Sequence, residues 1–228
     1  LTLCSRSLAA MSALPRTSFV LRPRGPFSLE AVRTMACGFL RGPRACDAEG
    51  AVSLAFPHEK TFAPVGALLR MQGSDVRVEL SEADADGTIA RQVERTLGLA
   101  QDGTGFADLL ASDHVLSRLG RARPGFRPVA APSPYAMAGW CVLSQRTPMA
   151  RAAALQVGMA RAFDDMTPAL GERPALPSFP RPESLLSRET FPEIADEKWR
   201  RLQAIAAAAL EGELDPEMLT SLPPREAM

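Results

Sequence analysis

The spacing of apolar residues changes once along this chain, near Gly103, and that change constrains the fold more than any other feature. Upstream, AVSLAF sets Val52, Leu54 and Phe56 at alternate positions, and VRVEL does the same with Val76, Val78 and Leu80. Period two predicts strands with one buried face, leaving Ser53, Arg77 and Glu79 toward water. With Ser18 to Leu21 and Phe62 to Met71 these segments predict a small antiparallel sheet. Two helices accompany it: one begins near Pro26 and runs through Leu29, Val32, Arg33 and Ala36, and the other, TIARQVERTLGL, carries Ile89, Val93 and Leu97 on one stripe. Residues 17–103 therefore read as an α+β domain, behind a leader over 1–16 expected to be disordered. From Phe106 onward every apolar run has helical spacing, so 104–228 reads as all-α. The segment Asp164 to Pro182 is expected to be a proline-rich surface loop, with Pro182 opening a short helix through Leu186.

Composition narrows the partners. With 46% apolar residues the chain can bury a core, and 26 basic residues cancel 26 acidic ones, so any nucleic-acid contact must come from a local patch. Only Lys60 and Lys198 are lysines; the remaining positive charge is arginine, which reflects either GC-rich codon usage or a use for planar guanidinium groups on phosphates. Cys4, Cys37, Cys46 and Cys141 form no C-x-x-C pair, and His58 and His114 are isolated, which reads as surface or cap positions. No metal or cofactor is implied, and a reducing, cytoplasmic setting fits. No apolar run reaches the roughly 18 residues a membrane span needs. The chain opens with Leu1, so either Met11 is the initiator or the sequence starts at a fragment edge.

Two dipeptides mark helix starts, Ser133-Pro134 and Thr147-Pro148. In each the hydroxyl is expected to cap an orphan amide, with proline at the first helical position. The two helices then meet at Ser144-Gln145-Arg146, a polar junction beside a helix N-terminus that is suited to a phosphate, or an ordinary corner of a helical domain. Tyr135 and Trp140, on the first of these helices, read either as core residues beside Val142 and Leu143 or as lining for a base pocket. Arg118, Arg121, Arg123 and Arg127 form the densest basic cluster, a solvated surface or a phosphate contact.

These motifs carry a resemblance. The runs LGRARPGFRP, SPY followed by helix, LSQRTPMARAA, FPRPESLL, and EKWRRL leading to AALEGEL are similar, in order, to bacterial 3-methyladenine DNA glycosylase II, within the helix-hairpin-helix glycosylase superfamily. The similarity covers most of the chain, and upstream it rests on AVSLAFP and ARQVERTLGL. It implies an α+β fold in which the small antiparallel sheet is followed by an incomplete all-α glycosylase domain. It further implies double-stranded DNA as partner, base excision repair of alkylated purines by extrusion of the damaged nucleotide, and a monomer once the C-terminal elements complete the domain. By the resemblance Gln145 is the junction glutamine, and Arg146 occupies the position of an apolar wedge, a departure that still permits stacking or phosphate contact. Thr147, Arg121 and Arg123 join them as expected DNA contacts. The family's glycine-rich hairpin and catalytic aspartate are expected beyond Met228, so no catalytic residue is assigned; the alternative is a non-catalytic DNA-binding or structural relative.

Overall fold

A computed structural model describes residues 17–38, 45–46 and 50–223. The leader over 1–16, with Cys4 and Met11, lies outside the described residues. The first half contains β1 (Ser18–Leu21), α1 (Leu29–Gly38), β2 (Ala45–Cys46), β3 (Val52–Pro57), β4 (Pro64–Gln72), β5 (Asp75–Leu80) and α2 (Thr88–Thr96). The strands form one antiparallel sheet in the order β1-β5-β4-β3-β2. The two-residue strand β2 has no periodicity of its own, and the sequence gives no sign of it.

Register explains the first core. Val52 faces Leu69, Leu54 faces Ala67, Phe56 faces Val65, and Leu69 in turn faces Val78. Period two therefore brings every one of these side chains to a single face. That face packs under Leu29 and Val32 of α1 and Ile89, Val93 and Leu97 along α2. The stripe predicted for α2 is the buried one.

The opposite face of the sheet corrects an expectation. Ser53, expected to face water, is only 5% exposed, and its cross-strand neighbour Leu68 is 4% exposed. The cover comes from the segment Asp164 to Pro182, a loop that keeps one side in solvent and lays the other against the sheet. Its Arg173 donates to Ser53 Oγ at 3.4 Å, and Leu170 packs beside Gly66 of β4. Asp165, Thr167, Ser178 and Phe179 of this segment are buried. Proline there shapes a tight path across the sheet, held by antiparallel bridges Met166 to Pro177 and Leu170 to Arg173.

The second half is helical: α3 (Phe106–Ser112), α4 (His114–Ala122), α5 (Pro134–Ser144), α6 (Met149–Ala162), α7 (Pro182–Leu186), α8 (Asp196–Leu210) and α9 (Pro216–Ser221). The helical spacing of FADLLASDHVLSRLG is continuous, yet the segment breaks at Asp113, which is extended and accepts from the Val115 and Leu116 amides at 2.8 Å each. The carboxylate caps a new helix rather than continuing the old one. Helices α5 to α8 enclose a second core around Tyr135, Leu143, Met159, Phe179, Leu185, Trp199 and Leu202. Trp199 is fully buried, stacks on Phe191 at 5.6 Å, and donates its indole N–H to Arg188 O. Among the described residues no helix is long and apolar enough to cross a membrane.

Candidate nucleic-acid interface

Helix α5 places the site. Ser133 Oγ accepts from Ala136 N at 3.2 Å and Pro134 takes the first helical position, as the Ser-Pro signal predicts. Eleven residues later, about 16 Å along the axis, the helix ends at Ser144 and the chain turns through Gln145, Arg146 and Thr147 into α6. Gly139, midway, lets Phe179 pack directly on the backbone: a Cβ there would stand 2.1 Å from the ring.

The turn departs from the expected capping. Pro148 is itself the N-cap of α6, and no side chain caps that helix. The Thr147 hydroxyl instead donates to Gln145 O at 3.1 Å and accepts from Lys198 Nζ at 2.7 Å. Lys198, half-buried on α8, also donates to Leu143 O at 3.1 Å and to Gln145 O at 3.0 Å. An ammonium thus sits at the C-terminal end of α5, satisfying carbonyls the helix leaves unpaired and complementing its dipole.

Gln145 and Arg146 are exposed at the tip. Arg201, also from α8, donates to Gln145 Oε1 at 3.2 Å while Glu197 holds the same guanidinium at 2.8 Å. Because a guanidinium only donates, the carboxamide must offer its oxygen inward and its NH2 outward. Arg146 adopts the left-handed conformation, φ 51°, which costs a side chain about 1–2 kcal/mol. Its guanidinium has no hydrogen-bond or ion-pair partner among the described residues. The outward side-chain groups of Gln145 and Arg146 are therefore N–H donors, suited to phosphate oxygens or to acceptor atoms on base edges.

The other candidates fall elsewhere. Arg121 and Arg123 are exposed near the end of α4, where Arg121 donates to Ser117 Oγ at 3.1 Å. No hydrogen bond or ion pair among the described residues joins them to the α5–α6 turn. Arg127 leaves the basic surface altogether: it is 7% exposed, and its guanidinium donates to Pro26 O, Gly98 O, Gln101 O and Arg24 O. This arginine ties the approach to α5 back onto the first half. Ala130 N donating to Thr96 O at 3.0 Å reinforces the tie.

Tyr135 is 1% exposed, donates to Pro180 O at 2.8 Å, and meets Phe62 and Phe179 edge to face. Trp140 is half-buried against the same core. Tyr135 borders a cavity of about 270 Å³ with Glu59, Phe62, Ser133, Leu214 and Asp215. Burial raises the Glu59 carboxyl pKa against the pull of its ion-pair partner Arg95. This cavity lies at the N-terminal end of α5, the end opposite the donor-bearing turn.

Lys198 and Arg201 were not among the residues singled out from sequence. The signal was present in one form: Lys198 is one of two lysines in an arginine-rich chain.

No protein-family model and no curated protein sequence matches the chain. Solved structures do. The chain is similar to a 3-methyladenine DNA glycosylase from Archaeoglobus fulgidus, with TM-score 0.64 and 16% identity over 92% of this chain and 71% of that one. It is similar to MBOgg1 in complex with a low-affinity DNA ligand, with TM-score 0.63 and 16% identity over 92% and 68%. It is also similar to the 8-oxoguanine glycosylase/lyase of Clostridium acetobutylicum in its apo form, with TM-score 0.62 and 15% identity over 92% and 70%. The α+β architecture described above is the fold these three DNA glycosylases share.

Proposed function

We propose that this chain is a DNA glycosylase of base excision repair, binding double-stranded DNA as a monomer in the cytoplasm and acting on alkylated purines turned out of the duplex. The observation that carries the reading is the α5–α6 turn. A left-handed, unpaired Arg146 stands beside an outward-facing Gln145 carboxamide, on a fold shared with DNA glycosylases. Arg146 is long enough to enter the gap an extruded nucleotide leaves, and its planar group stacks on bases as well as pairing with phosphate. Gln145 and Thr147 flank it, while Arg121 and Arg123 offer a second patch for the sugar–phosphate backbone. Trp140 and Tyr135 belong to the helix that carries the turn, and their role in this reading is to hold that helix in the core.

A second reading, a DNA-binding relative that does not cleave, is favoured by one observation. The carboxylates beside the turn are engaged: Glu193 pairs with Arg151 at 2.7 Å, and Glu197 with Arg201 at 2.8 Å and Arg200 at 3.6 Å. Both are committed to guanidinium groups, and no residue of this chain is assigned as the catalytic acid. One experiment separates the readings: the purified chain is incubated with methylated duplex DNA while binding and free-base release are followed together. Release establishes the first reading; binding without release establishes the second; absence of binding sinks both.

A further inference from the structure

We propose that Lys198 is a positioning residue for the Gln145–Arg146–Thr147 turn, acting on the backbone of the turn rather than on nucleic acid. In the role given to that turn, the inference rests on the reading above; the geometry stands apart from it. Three oxygens converge on one ammonium: Leu143 O at 3.1 Å, Gln145 O at 3.0 Å and Thr147 Oγ1 at 2.7 Å. Two of them flank Arg146, one residue before and one residue after, while Leu143 O belongs to the last turn of α5. With both neighbours pinned to the same nitrogen, the peptide units around Arg146 cannot relax out of the left-handed region, and its Cα–Cβ bond keeps one direction outward.

Lys198 has three donors and spends them on three acceptors, so none remains for a phosphate. A planar guanidinium spreads its N–H groups in a fixed fork, whereas an ammonium can serve three oxygens at one point. That geometry gives a physical reason for lysine at this position in a chain whose only other lysine is Lys60. Thr147 is the hinge of the arrangement, because its hydroxyl accepts from Lys198 and donates to Gln145 O in the same turn.

The decisive measurement is amide hydrogen exchange on the full free chain, comparing Lys198→Met and the near-isosteric Thr147→Val with the parent. Expected is a local effect: exchange at Gln145 and Thr147 N–H rises about tenfold or more, while Leu202 and Ala206 in the interior of α8 change less than about threefold. A uniform rise, or no change at the turn, overturns the proposal. The second arm titrates a fluorescent duplex carrying an abasic-site analogue at several salt concentrations. Lys198→Met should weaken binding about three- to tenfold with the salt slope unchanged, whereas Arg146→Ala should make the slope shallower by about 0.9. A shallower slope for Lys198→Met would make Lys198 a phosphate ligand and overturn positioning. If the parent chain does not bind the duplex, the glycosylase reading fails, and the exchange arm alone decides whether Lys198 holds the turn.

Discussion

Arg146 holds a backbone conformation that side chains pay to adopt, at an exposed tip where no packing demands it. Arg146→Gly should therefore leave thermal stability within about 1 kcal/mol of the parent, since glycine takes positive φ without strain. Duplex affinity should fall nonetheless, as read by fluorescence anisotropy. Tyr135 makes the opposite case, a group whose chemistry is entirely inward. Burial, with added repulsion from Asp165 and Glu183, holds its phenol well above the ordinary value of 10.0. Above that pH the unfolded chain releases the proton and the folded chain keeps it, so stability declines as pH rises toward the elevated value. Tyr135→Phe should flatten this alkaline decline and cost about 1–2 kcal/mol at neutral pH, because Pro180 O loses its donor. The chain has a single tyrosine, so tyrosinate absorbance reports this residue alone. Ionisation that precedes unfolding would contradict the assignment.

Among the elements, α5 shows what sequence could and could not tell. Ser133-Pro134 and Thr147-Pro148 send the same local signal, yet only the first caps a helix through its hydroxyl. The difference lies 51 residues downstream of Thr147, in a lysine whose contact no local pattern encodes. The period-two strands were legible because one face truly is apolar. The burial of Ser53 was not legible, because the cover comes from Arg173, 120 residues away. The break at Asp113 is hidden for a local reason: the helical spacing is continuous through it, and only its side-chain bonds to two following amides show the break. Gly139 is the position where α5 depends most on having no side chain. Gly139→Ala should lower stability by about 1–3 kcal/mol in denaturant titrations, with part of the loss recovered by adding Phe179→Leu. Full stability in Gly139→Ala would mean that the Phe179 ring moves freely.

For the whole molecule, two cores share one chain, and Arg127 is a principal tie between the segments that build them. Its guanidinium gathers carbonyls from residues 24, 26, 98 and 101 immediately before the chain enters α5. Arg127→Met should cost about 3 kcal/mol or more, since buried carbonyls lose their donors together. Calorimetry should show it as a lower midpoint, while duplex affinity of the folded fraction stays unchanged. Arg121→Ala combined with Arg123→Ala should behave in reverse, lowering affinity without moving the midpoint.

The scarcity of lysine gives the molecule an unusual reactivity map. Lys198 is half-buried with its donors committed inside the fold, whereas Lys60 is exposed and, among the described residues, its ammonium pairs with Asp86 alone. Amine-directed acylation under native conditions should therefore modify one side chain, on the hairpin beside β3, and leave the turn that carries Arg146 chemically untouched.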